Sequence, residues 1–266
     1  MKKGICLFLA AALSLAASAA ASASGWHREN VEVKVLSDRG SRFHTLPHQD
    51  YLSGKTHVLK QYLEARKGEN YQVALRNNTA YRIGVVIAVD GRNIISGKKS
   101  HLRHNESMYV LNPYEQGVYG GWRTGDNTVH RFYFTDPGDS YAVRTFGDES
   151  AMGVIAVSVF QEKGQRPLPG GKQRSLGKRG DNGAPESLAE DRAGTGFGDR
   201  TYSPSVKVAF KPEYRPVQKI LVKYEWREQL CRMGLLSCRG EGNRLWDDGE
   251  GYAPYPPDSL GRLSIE

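Results

Sequence analysis

The sequence is short of cysteine, with three in 266 residues: Cys6, Cys231 and Cys238. That excludes a disulfide-stapled scaffold and a four-cysteine zinc site. It is equally short of long apolar runs. Beyond the first 23 residues, no stretch approaches the roughly 20 consecutive apolar residues that a bilayer span requires. No transmembrane segment is therefore expected in the mature chain. The chain carries a formal charge of +8, but it has no Arg-rich run and no basic helix. A scattered excess of that size favours solubility and weak attraction to anionic surfaces, and nucleic acid is not expected as a partner. The chain also lacks a G-x-S-x-G nucleophile elbow, a G-x-G-x-x-G phosphate loop and the common zinc-ligand spacings. No metal and no cofactor is expected.

The first residues, MKKGICLFLAAALSLAASAAASASG, run in the order of an export signal. Lys2 and Lys3 form the positive segment, residues 5–15 the apolar one, and small residues follow that suit cleavage. Residues 1–23 are read as a signal peptide, and the mature protein is expected in the periplasm or outside the cell. The alternative is an N-terminal anchor, for which the apolar run is short. Loss of Cys6 leaves Cys231 and Cys238. In an oxidising compartment they predict one disulfide; two free thiols or half of a metal site are the other readings.

Short runs of β-branched and aromatic residues recur, broken by turn signals. Residues 31–35 and 71–76 alternate with period two, as half-buried strands do. Residues 81–89 are β-branched almost throughout, and strand character resumes at Ile94 after Asp90-Gly91. Asp-Gly between two such runs is a hairpin signal. A calcium loop would need oxygen ligands before Asp90, where Ile87, Ala88 and Val89 stand. Further strands are read at residues 58–63, 108–111, 118–119, 129–135 and 153–160. No helix-length amphipathic segment intervenes. The fold class expected is all-β, an antiparallel β-sandwich of jelly-roll or immunoglobulin type spanning residues 30–162.

Residues 163–200 are rich in Gly, Lys and Arg and poor in apolar residues, and are read as a flexible linker or loop. Its GTGFGDR (residues 194–200) lacks the spacing of a nucleotide loop. Residues 201–266 are read as C-terminal strands at 206–210 and 220–224, a short helix between Trp226 and Leu236, and a Pro-rich tail, GYAPYPPDSLGRLSIE.

Four sets of residues invite a chemical role. Tyr114, Tyr119, Trp122 and Arg123 lie in NPYEQGVYGGWRTG beside glycine turns. Aromatic residues with an arginine can stack on a sugar or grip a protein partner, although packing at the rim of a sandwich gives the same pattern. The basic loop from Lys98 to Arg103 would aid encounter with anionic partners. His101 and His104, or His44 and His48, could ligate a metal only with further ligands that the sequence does not place nearby. Gly138-Asp139-Ser140 echoes one serine-hydrolase motif but sits mid-chain, where a turn capped by Asp side chains accounts for it. Asp136, Asp139, Asp148 and Glu149 could supply a carboxylate pair for glycoside hydrolysis.

The stretches YQVALRNNTAYRIGVVIAVDGRNIISGK, YVLNPYEQGVYGGWR, RFYFTDPGDSYA and GVIAVSVFQE resemble a family of exported bacterial proteins with no known activity, and TGFGDR and YEWREQLCRMG are similar to its C-terminal part. The resemblance implies export and no particular chemistry. The function expected is a non-catalytic binding or assembly module of the cell envelope, with Tyr114, Tyr119, Trp122 and Arg123 meeting a protein or glycan. The alternatives are a hydrolase of envelope polysaccharide and a structural protein that associates with itself through sheet edges.

Overall fold

The computed structural model describes residues 30–164 and 192–237. Two seven-stranded sheets pack face to face. The first holds β1 (Val31–Ser37), β4 (Asn70–Asn77), β8 (Gln116–Tyr119), β9 (Gly121–Gly125), β10 (Thr128–Thr135), β12 (Gly194–Thr195) and β13 (Arg200–Tyr202). The second runs β2 (Thr45–Ser53), β3 (Thr56–Ala65), β14 (Gln218–Trp226), β11 (Val154–Gln161), β5 (Ile83–Val89), β6 (Arg92–Asn93), with β7 (Tyr109–Leu111) also on β5. Pairing is antiparallel except between β3 and β14, which run parallel. The sandwich expected from the turn-punctuated sequence is therefore present, with one parallel pair that alternation cannot reveal.

Period-two patterning builds the core. Val31, Val33 and Val35 of β1, Tyr71, Val73 and Leu75 of β4, and Phe132 and Phe134 of β10 face inward from the first sheet. Ile83, Val85, Ile87 and Val89 of β5 meet them with Ile155, Val157 and Val159 of β11 and Ile220, Val222 and Tyr224 of β14. Each such aliphatic or aromatic side chain contributes about 1.5–3 kcal/mol by leaving water. The Tyr71 ring stacks on Phe134 at 4.3 Å and on Phe132 at 5.3 Å. Gln218 ties the sheets together at one end, its Oε1 accepting from the Val31 amide at 2.9 Å and its Nε2 donating to the Val31 carbonyl at 3.1 Å.

The structure departs from the sequence reading in four places. Residues 194–202, read largely as linker, contribute two short strands: β12 pairs with Phe134 and Thr135, and β13 with residues 128–130. Gly196 has no room for a side chain, since a Cβ there would lie 2.1 Å from the Tyr133 ring. Residues 206–210 alternate like a strand but join no sheet. Two short helices form, α1 (Tyr141–Phe146) and α2 (Arg227–Arg232), of which only the second was expected. Finally, β2 forms in TLPHQDYLS, which shows no apolar alternation because nearly all of it is exposed.

Candidate functional site

Asp90 and Gly91 join β5 to β6 with φ of 47° and 74°. Positive φ at both positions is what a two-residue type I′ hairpin needs, and it is why Asp-Gly stands here. The Asp90 side chain does more than permit the turn. It is buried, and its carboxylate accepts from the Gly153 amide at 2.9 Å, from the Thr195 amide at 2.7 Å and from the Tyr224 hydroxyl. Thr195 Oγ1 in turn meets the Tyr224 hydroxyl at 2.6 Å and the Tyr71 hydroxyl at 2.7 Å. Burial pushes the Asp90 carboxyl up to about 6, against the opposing pull of Tyr224 and the backbone amides. Burial also raises both tyrosines, with Asp90 adding to it. The corner is thus a polar rivet that fastens β12 and β14 to the hairpin, and its side-chain atoms face inward.

A groove lies elsewhere among the described residues. It has a volume of about 780 Å³ and runs between β7–β8 and the segment 203–212, which belongs to neither sheet and is bridged to Glu162 only at Pro212. Gly84 on β5 makes it possible. A Cβ there would lie 2.4 Å from Met108 and 2.5 Å from Phe210, so the missing side chain leaves the hollow into which both pack. At the other end, the Ser203 and Ser205 amides donate to the Asn127 and Asp126 carbonyls. Between these anchors the segment stands away from the sheets and carries Val206, 85 % exposed, and Val208. Across the groove β8 presents Val118, 49 % exposed.

The four residues singled out in NPYEQGVYGGWRTG have different environments. Tyr114 is 65 % exposed, at a turn with φ of 60°. Tyr119 lines the groove against Tyr109, with ring centroids 4.2 Å apart, and folds back over Gly117. Burial first, then Tyr109 and Glu115, raise its hydroxyl far above the ordinary range, while Arg123 opposes them. Trp122 is 2 % exposed and belongs to the core. Its indole donates to the Gly196 carbonyl at 3.0 Å, and its ring meets Phe132 edge-on. It has no face to offer a partner. Arg123 lines the groove but spends its donors internally. Nε donates to the Tyr109 hydroxyl at 2.9 Å, and the terminal nitrogens donate to the carbonyls of Gly125, Asp126 and Ser203 and to the Ser203 hydroxyl. It holds the groove open by pinning Ser203 to the β9–β10 turn. Groove residues that the sequence reading missed are Val118, Val206 and Phe210. Their signal was an alternating segment with no partner strand.

The remaining candidates have local structural roles. Ser140 is buried and caps α1, donating to the Pro137 carbonyl at 2.7 Å and accepting from the Val143 amide. The cap is thus the serine and not, as the sequence suggested, an aspartate. Asp136 pairs with Lys67, and Asp139 and Glu149 lie exposed. Asp148 pairs with Arg92 at 2.7 Å and Lys99 at 3.3 Å. The Ser150 hydroxyl and amide, then Lys99, hold its carboxyl down at about 2, too low for a proton donor at neutral pH. His104 packs on Tyr214 and His48 on Tyr62, while His44 and His101 are exposed. The basic loop is fixed by Glu106, which accepts from the His101 and Arg103 amides and the Ser100 hydroxyl. Burial opposes the charge on Glu106, but these donors keep its carboxyl below the usual range. Among the described residues, no three His, Cys, Asp or Glu side chains gather as a metal site, and no helix is long and apolar enough to cross a membrane. Cys231 lies on α2, and Cys238 lies outside the described residues.

No family model matches the chain, and neither does any curated protein or solved structure.

Proposed function

We propose that the protein is an exported, non-catalytic binding module of the bacterial envelope, and that the groove between β8 and residues 203–212 is its contact surface. One observation supports this reading above the rest. Val118, Val206 and Val208 stand in solvent around a single groove, whereas the other large aliphatics among the described residues, Leu52 and Met233 apart, are not exposed. Apolar side chains gathered at a concave surface mark interaction sites more often than scattered ones do. The groove walls are held by the Arg123 hydrogen bonds and by the Phe210–Gly84 contact, so the surface is formed before a partner arrives. Pre-formation lowers the ordering cost of association. Tyr119 supplies an aromatic surface within the groove. Tyr114 sits at the turn leading into β8. The proposed partner is a protein or glycan of the envelope.

The test is affinity capture from an envelope extract with three single variants. Val118→Asp and Val206→Asp change exposed positions in the groove, and Tyr51→Asp changes an exposed position on β2. A partner held by wild type and by Tyr51→Asp but released by both valine variants is the expected result. Equal capture by all four chains would remove the groove from consideration.

A further inference from the structure

Residues 252–257 read Tyr-Ala-Pro-Tyr-Pro-Pro and lie in the tail outside the described residues. Proline fixes its own φ and restricts the residue before it to extended backbone. Ala253, Tyr255 and Pro256 each precede a proline, so this stretch is predisposed to polyproline II, whose low ordering cost suits it to aromatic grooves. The groove offers such a lining in Tyr109, Tyr119 and Phe210.

Charge points the same way. Asp247, Asp248, Glu250 and Asp258 bracket the proline stretch, with no basic residue between Leu245 and Asp258, while the whole chain is +8. The loop with Lys98, Lys99 and Arg103 leads into the groove residues His104 and Glu106, with Lys99 paired to Asp148, and Lys207 lines the opposite wall; the lining itself balances Arg82, Arg123 and Lys207 against Glu106, Glu115 and Asp126. Length permits the docking. Ser237 ends the described chain just after α2, at the Trp226 end of β14. The groove reaches Arg82 and Phe210, near the Gln218 end. A nine-residue strand covers about 30 Å, and the roughly fifteen residues from Ser237 to Tyr252 can extend to about 50 Å.

We propose that residues 246–257 of the same molecule occupy the groove, with the proline–tyrosine stretch along Tyr109, Tyr119 and Phe210 and the acidic residues toward the basic loop. The tail then acts as a tethered competitor that an envelope partner must displace. The proposal rests on the groove being a binding surface.

The test is amide hydrogen exchange on two full-length mature chains, wild type and one carrying Tyr252→Ala, Tyr255→Ala and Pro256→Ala. In wild type the amides of residues 117–119 and 206–208 are expected to exchange at least tenfold more slowly than in the triple variant. Added synthetic peptide of residues 245–259 should restore slow exchange to the variant, and less so in high salt. Equal exchange in the two chains, or no rescue by the peptide, overturns the proposal. Protection that grows with protein concentration also overturns it, in favour of a tail supplied by a second copy. The two readings fail separately. If only the tail is misassigned, Val118→Asp still loses its captured partner while the exchange rates coincide. If the groove binds nothing, Val118→Asp captures as wild type does.

Discussion

Substitution of Asp90 by Asn probes the polar rivet without changing its size. The wild-type carboxyl titrates at about 6 in the folded protein against an ordinary value of 3.8, because burial disfavours its charge. A folded pKa raised in this way means that the folded state binds the proton more tightly. The associated stability is fully present below pH 3.8 and is lost as pH rises through 6. The full effect is about 3 kcal/mol, at 1.36 kcal/mol for each tenfold change. Evaluated between pH 4.5 and pH 7.5, the loss is about 2 kcal/mol. Asparagine does not titrate, so the variant lacks this loss. It does pay a constant penalty, because its oxygen can accept from only one of the Thr195 and Gly153 amides while its NH2 group faces the other, leaving one buried donor unmatched at about 1–3 kcal/mol. Urea unfolding of both chains across this pH range gives the comparison, since other titrating groups cancel in the difference. Asp90→Asn should be the less stable chain at pH 4.5, by a margin that shrinks by about 2 kcal/mol at pH 7.5. A margin independent of pH, or one that widens as pH rises, would refute the assignment of Asp90 as a buried carboxyl opposed by desolvation.

Three further outcomes follow from the same geometry. Gly121→Ala places a Cβ 2.2 Å from the His130 backbone oxygen and should lower the melting temperature sharply, whereas Gly138→Ala meets open space and should leave it nearly unchanged; thermal unfolding of the pair checks this. Asp148, held at about 2 by Ser150 and Lys99, contributes stability that is present above pH 3.8 and lost as pH falls toward 2; Asp148→Asn should therefore flatten the acid limb of the stability profile. Cys231 and Cys238, if paired on export as the sequence predicts, should yield no reactive thiol when the mature protein is unfolded without reductant, and two after reduction.

Much of the sandwich was legible because its strands obey simple rules. Phe132 and Phe134 share a face two residues apart, and both reached the core. Asp90-Gly91 announced its hairpin through backbone conformation alone. What escaped was non-local. Residues 194–202 are too poor in apolar side chains to advertise a strand, and their glycines reflect close approach rather than freedom, of Gly196 and Gly198 to Tyr133 and of Gly194 to Ser140 and Met152. β2 is legible only as an edge, since both of its faces meet water and Pro47 interrupts it. The candidate site was legible in part. The stretch that holds Tyr119 and Arg123 does form one wall of the groove, but alternation could not say that Trp122 points inward or that Arg123 spends its donors on carbonyls. The opposite wall, Val206 to Phe210, lies more than eighty residues away in sequence and is brought there by the Gly84 hollow.

Site-specific photocrosslinking in intact cells tests the groove most directly. A crosslinking side chain at Val118 or Val206 should give the same adduct of defined mass, and one at Tyr51 on β2 should give none. Adducts from Tyr51 alone, or different adducts from Val118 and Val206, would contradict a single contact surface at the groove.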